Sequence, residues 1–140
     1  MKESIMIKAI ISSYYCIGSS LIPEEFNGQR IKEWIPENPK NVTYILDMLM
    51  GIQDYSEEDN FEVWVTTSQG LKENSNNLNL INGKKIILEE YSWDNLTKAI
   101  DNILEDCKGE DWNEISGKLA KHFYWEYDEE DEDISNAATN

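Results

Sequence analysis

One histidine, two cysteines and no long apolar run leave this 140-residue chain with little of what catalytic and membrane chemistry most often requires. A lone His122 cannot join a second imidazole to hold zinc, and no HExxH sequence exists. GxSxG, Walker A and dinucleotide-binding fingerprints are missing too, and Gly83-Lys84-Lys85 lacks the spacing of a phosphate cradle. No stretch approaches the roughly 20 apolar residues of a membrane span. Cys16 and Cys107 lie far apart and neither has the context of a nucleophile. Cys107 falls on the apolar side of a helical pattern, so buried free thiols are expected, and with them a cytoplasmic address. At the amino terminus Glu3, Lys8, Ser12 and Ser13 interrupt what would otherwise resemble a secretory signal, and the segment reads as a strand.

Positive charge is equally scarce. Against 28 Asp and Glu stand 12 Lys and Arg, a formal net charge of −16. Such a field repels phosphate backbones and anionic lipid, which argues against direct nucleic-acid or membrane binding and for a partner with a basic surface. Carboxylates alone do not make a site. Catalytic pairs need burial to push their pKa values apart, whereas most acids here sit in polar runs, and the glycine-containing spacing of a calcium loop is absent. No catalytic residue, metal ligand or cofactor is therefore expected.

What the chain does have is a core. Its 40% hydrophobic content, with five Trp, seven Tyr and three Phe, is too rich for a disordered acidic polymer, and its length suits one domain. We expect that domain over residues 1–127 and an acidic, disordered tail over 128–140, where the run EYDEEDED from Glu126 to Asp133 ends the folded part. Alternation predicts a strand from Ile5 towards Tyr15. All three prolines, Pro23, Pro36 and Pro39, lie in a connection from Gly18 to Lys40 that allows a helical turn near Glu24. Val42–Ile52 fits helix or strand. The second run that follows it, Phe61–Thr67, favours a hairpin whose polar loop is residues 54–60. Leu71–Lys85, rich in Asn and Ser, reads as a loop.

The carboxy-terminal third is the most regular. Ile86–Leu88 forms a short strand, and Ser92 is placed as an N-cap before Leu96, Ala99, Ile100, Ile103, Leu104 and Cys107 at helical spacing, with Gly109 as a left-handed cap. Asp111 and Glu114 resemble a capping box at the head of a second helix bearing Trp112, Ile115 and Leu119. Phe123, Trp125 and Tyr127 then alternate as a final strand. The predicted fold is α+β, a mostly antiparallel or mixed sheet with two helices from the second half of the chain packed on it. Trp34, Tyr55 and Tyr124 fit these core periodicities poorly and are candidate exposed anchors.

WIPENP at 34–39, the LMGI ending at Ile52, ILEEYSWDNL at 87–96, CKGEDWNEISGKL at 107–119 and FYWEY at 123–127 together resemble the immunity protein 8 family. The likeness covers about two-thirds of the chain, with departures at Gly51-Ile52, Gly70-Leu71 and a longer segment around Asn74–Asn82. It implies a non-enzymatic inhibitor that neutralises the toxin encoded beside it in bacterial polymorphic toxin or contact-dependent growth inhibition systems. Two acidic patches are then candidate toxin contacts. One is Asp54, Tyr55, Glu57, Glu58 and Asp59 in the hairpin loop; the other is Tyr124 with Asp128, Glu129, Glu130 and Asp131. A monomer is favoured. The alternatives that the residues leave open are an acidic nucleic-acid mimic, a cation-binding module, or a small enzyme using a carboxylate pair.

Overall fold

Why Thr43–Gly51 is a strand, despite its Leu and Met content, is plain from burial. In a computed structural model, which describes residues 5–17, 19 and 21–126, Tyr44, Leu46, Met48 and Met50 alternate on one side and are all at most 2% exposed. Their partners across the hairpin, Phe61, Val63 and Val65, are fully buried. A period of two that buries seven large side chains outweighs the weak helical preference of Leu and Met.

Five strands form one mixed sheet: β1 (Ile10–Ile17), β2 (Thr43–Gly51), β3 (Asp59–Thr67), β4 (Lys85–Leu88) and β5 (Tyr124–Trp125). The order is β1-β2-β3-β4, and β5 also pairs with β3. All pairings are antiparallel except β3 with β4, which is parallel. A parallel neighbour needs a crossover, and here it contains two short helices, α1 (Ser68–Glu73) and α2 (Leu78–Ile81). After β4 come α3 (Trp93–Asp106) and α4 (Trp112–Leu119). Leu96, Ile100, Leu104, Ile115 and Leu119 join Leu46, Met48, Phe61, Val63 and Val65 in the main core. The result is a single α+β domain.

The caps explain where the helices start. Ser92 Oγ accepts from Asn95 N–H at 2.9 Å, and Asp111 Oδ1 accepts from Glu114 N–H at 2.8 Å. Glu114 reaches back to Glu110 N–H, one residue earlier than a standard box would.

Four expectations are corrected. The segment over 71–85 is not simply a loop. The Thr67 hydroxyl caps α1 through Gly70 N–H at 3.1 Å, and the Asn77 side chain caps α2 through Leu80 N–H at 3.2 Å. Gly70 fits because a Cβ there would lie 2.6 Å from the Val42 carbonyl oxygen. The first strand begins at Ile10, not Ile5, because Ile7 leaves the sheet to exchange two backbone hydrogen bonds with Gly109, at 2.7 and 3.1 Å. That bridge replaces the predicted cap: α3 closes at Cys107, and the only described glycine with positive φ is Gly28. Finally, Trp34 is no exposed anchor. It is 7% exposed and packs beside Tyr44 and Tyr91, whose hydroxyls bond each other at 2.9 Å.

Candidate functional site

The β2–β3 hairpin carries the first predicted patch, and the structure divides it. Asp54 turns the chain with φ 66°, a left-handed conformation that Asp tolerates better than most residues. Past this turn the loop folds over Gly51, where a Cβ would lie 3.0 Å from the Glu57 carbonyl oxygen. Asp54, Glu57 and Glu58 face solvent, and Tyr55 is 45% exposed. The Tyr55 hydroxyl donates to Glu57 Oε2 at 3.4 Å, and the Glu57 charge raises the Tyr55 pKa. Ser12 Oγ on β1 donates to Glu58, tying the loop to the sheet. Asp59 is turned inward: it is 8% exposed and accepts from Trp112 Nε1 at 2.9 Å.

Of the second patch only Tyr124 lies within the described residues; Asp128, Glu129, Glu130 and Asp131 lie outside them. Tyr124 is half-buried against the small cluster of Ile45, Trp64 and Leu80. Its hydroxyl accepts from Lys84 N–H at 3.0 Å, and the Lys84 ammonium sits 5.2 Å from the ring centroid. The two predicted patches are therefore unequal: the hairpin offers three outward acids and an aromatic, while Tyr124 also serves as a structural joint between β5 and the β4 approach.

A further acidic feature escaped sequence reasoning. On the side of the sheet turned away from α3 and α4, register aligns side chains in rows. Ile17, Ile45, Trp64 and Lys85 make one, Tyr15, Asp47, Glu62 and Tyr124 the next, and Ser13, Leu49 and Asn60 a third. Asn60 Nδ2 donates to both Asp47 carboxylate oxygens, at 3.1 and 2.9 Å, while Asn60 N–H donates to Glu126 Oε1 at 3.5 Å. Burial raises the Asp47 pKa and the Glu126 charge adds to that, against the opposing pull of the Asn60 hydrogen bond. The alternation of Thr43, Ile45, Asp47 and Leu49 was visible in the sequence, but the strand register that brings Glu126 to Asp47 was not.

This arrangement has a measurable consequence. An unfolded aspartate loses its proton near the ordinary value of about 3.9, whereas native Asp47 holds its proton to higher pH. Inside that window the native state binds more protons, so the contribution of Asp47 to stability falls as pH rises. Asp47→Asn removes that fall. Thermal melts should show the variant gaining on wild type as pH rises above the ordinary aspartate value of about 3.9; a difference independent of pH would refute the assignment.

Acid–base and nucleophilic chemistry find little here. Burial pushes the Cys16 thiol up to about 12 and raises that of Cys107. Such thiols are poor nucleophiles. Among the described residues no group of three His, Cys, Asp or Glu is arranged to hold a metal ion, and no helix is long and apolar enough to cross a membrane.

A match to immunity protein 8 extends over residues 20–130. The chain belongs to the immunity protein 8 family. That membership makes it an immunity protein against a toxin, and the match takes in the acidic hairpin, all four α-helices and β2 to β5. No curated protein and no solved structure matches the chain.

Proposed function

We propose that the protein binds one cognate toxin domain in the cytoplasm and neutralises it without catalysis, by covering its active site or another surface the toxin needs. The observation that carries this reading is the hairpin, which presents Asp54, Glu57 and Glu58 beside a half-exposed Tyr55 while Asp59 is used internally. Clustered outward acids and an aromatic anchor suit a basic protein surface. A nuclease domain has such a surface, because its substrate is a polyanion. The acidic segment with Asp128, Glu129, Glu130 and Asp131 would strengthen the same field, and the inhibitor would act as a monomer.

The test is protection. Cells expressing the toxin domain encoded immediately upstream should survive only when this chain is co-expressed, and the purified pair should bind at low salt. If co-expression gave no protection and the purified pair did not bind, the proposal would be lost. Equal binding to several unrelated basic proteins would instead favour an acidic mimic without a dedicated partner.

A further inference from the structure

The rows on the open side of the sheet carry more than the hairpin explains. At one end α2 covers them, with Leu80 packed on Ile45 and Trp64. Beside this cover, between the sheet and the end of α1 with the turn that follows it, lies an open groove of about 520 Å³, lined by Ile17, Asn41, Ile45, Trp64, Glu73 and Asn77 among others. Trp64 is 5% exposed, and its indole N–H is buried with no acceptor. A buried donor left unpaired is costly.

Beyond the groove the face is acidic, and no helix or strand among the described residues covers it. Asp47 and Glu126 share Asn60 between them, and neither carboxylate forms an ion pair among the described residues. Beside them Tyr15 is 48% exposed. Its ring rests on Gly28, where a Cβ would come within 3.2 Å of the ring and the backbone has φ +80°. Glycine is needed there on both counts, and the tyrosine is held in place before any partner arrives.

Charge decides between occupants. The sequence after Glu126 contains no Lys or Arg and six carboxylates from Asp128 to Asp133, so as an occupant it would set like charge against like. A second copy of the chain would set the same acids against each other. A cationic protein surface satisfies both the carboxylates and the aromatic. We propose that this open half-face is the second contact of the toxin interface, where a Lys or Arg of the toxin sits between Asp47 and Glu126 with its aliphatic stem against Tyr15. This deepens the immunity reading above and rests on it.

Binding of a catalytically silenced toxin domain should be measured for wild type, Tyr15→Ala, Glu126→Lys and their combination. Asp106→Lys, an exposed change at the end of α3, is the control. Each single variant should lose about 10-fold in affinity, Tyr15→Ala through faster dissociation and Glu126→Lys through slower association with a weaker salt dependence. Because both residues touch the same toxin side chain, the pair should lose more than either single variant but less than the roughly 100-fold product of the two, and the control should stay within about twofold. If wild type binds and both single variants bind equally well, this surface is excluded while the immunity function stands. If wild type fails to bind, both fall together. Should Tyr15→Ala fail to fold, Glu126→Lys at its exposed position decides alone.

Discussion

Phe61→Ala is expected to cost about 3–5 kcal/mol of stability, a large share of the roughly 5–15 kcal/mol that holds a typical domain together. Phe61 is fully buried at the junction of three elements. Its ring lies edge-on to Trp112 at 6.2 Å and to Phe123 at 6.4 Å, and stacks on Trp125 at 6.0 Å with the planes 8° apart. Truncation removes the transfer energy of the ring and leaves a cavity whose walls are three aromatic side chains with few ways to collapse. Trp125 is the register partner of Phe61, so β5, only two residues long, loses the stacking contact that Trp125 makes with the sheet. Trp112 loses its packing partner while its indole N–H is still tied to Asp59. Urea denaturation followed by far-UV circular dichroism should show a midpoint shifted far below wild type, and tryptophan emission from the native variant should move to the red. A midpoint within error of wild type would mean that this aromatic joint is not what closes the sheet on α4.

The same joint shows what could be read from the residues alone. Ser92, Asp111 and the apolar positions of α3 are local signals, each set within a few residues, and the structure keeps them nearly as written; of the expected final strand it keeps Tyr124–Trp125, and Tyr127 lies outside the described residues. The helices α1 and α2 left no such trace, because six and four residues are too short to display a helical period. Their caps at Thr67 and Asn77 are as local as those of Ser92 and Asp111 but have no apolar period behind them, and the close approach of Gly70 to β2 is a tertiary fact. Ile5, Ile7, Ala9 and Ile11 alternate like a strand, yet Ile5 is 79% exposed and Ile7 pairs with Gly109 instead of the sheet. Alternation records which side chains seek cover, not which neighbour provides it. The candidate site divides in the same way. Acids in the hairpin loop were legible as a run; that Asp59 turns inward to Trp112 and that Asp47 meets Glu126 through Asn60 depends on register, which no composition reveals.

Reversing the three outward hairpin acids, Asp54→Lys, Glu57→Lys and Glu58→Lys together, should slow association with the cognate toxin by about 10- to 100-fold at low salt while changing dissociation little. Exposed carboxylates act at a distance, through the field an approaching basic surface meets, and most of that interaction is spent before the final contacts form. Asp59 is left out of the set on purpose. Its reversal would bury an ammonium against Trp112 Nε1, a donor facing a donor, and any loss of binding would then report unfolding. Screening supplies an internal check: the Debye length falls from about 10 Å at 0.1 M salt to about 3 Å at 1 M, so the two association rates should converge as salt rises. A second triple, Glu37→Lys, Glu90→Lys and Asp106→Lys, reverses three exposed acids elsewhere and alters net charge by the same amount. If both triples slow association equally, the steering belongs to the overall charge of −16 and not to the hairpin. If only the hairpin triple does, the loop between β2 and β3 faces the toxin as the two proteins meet.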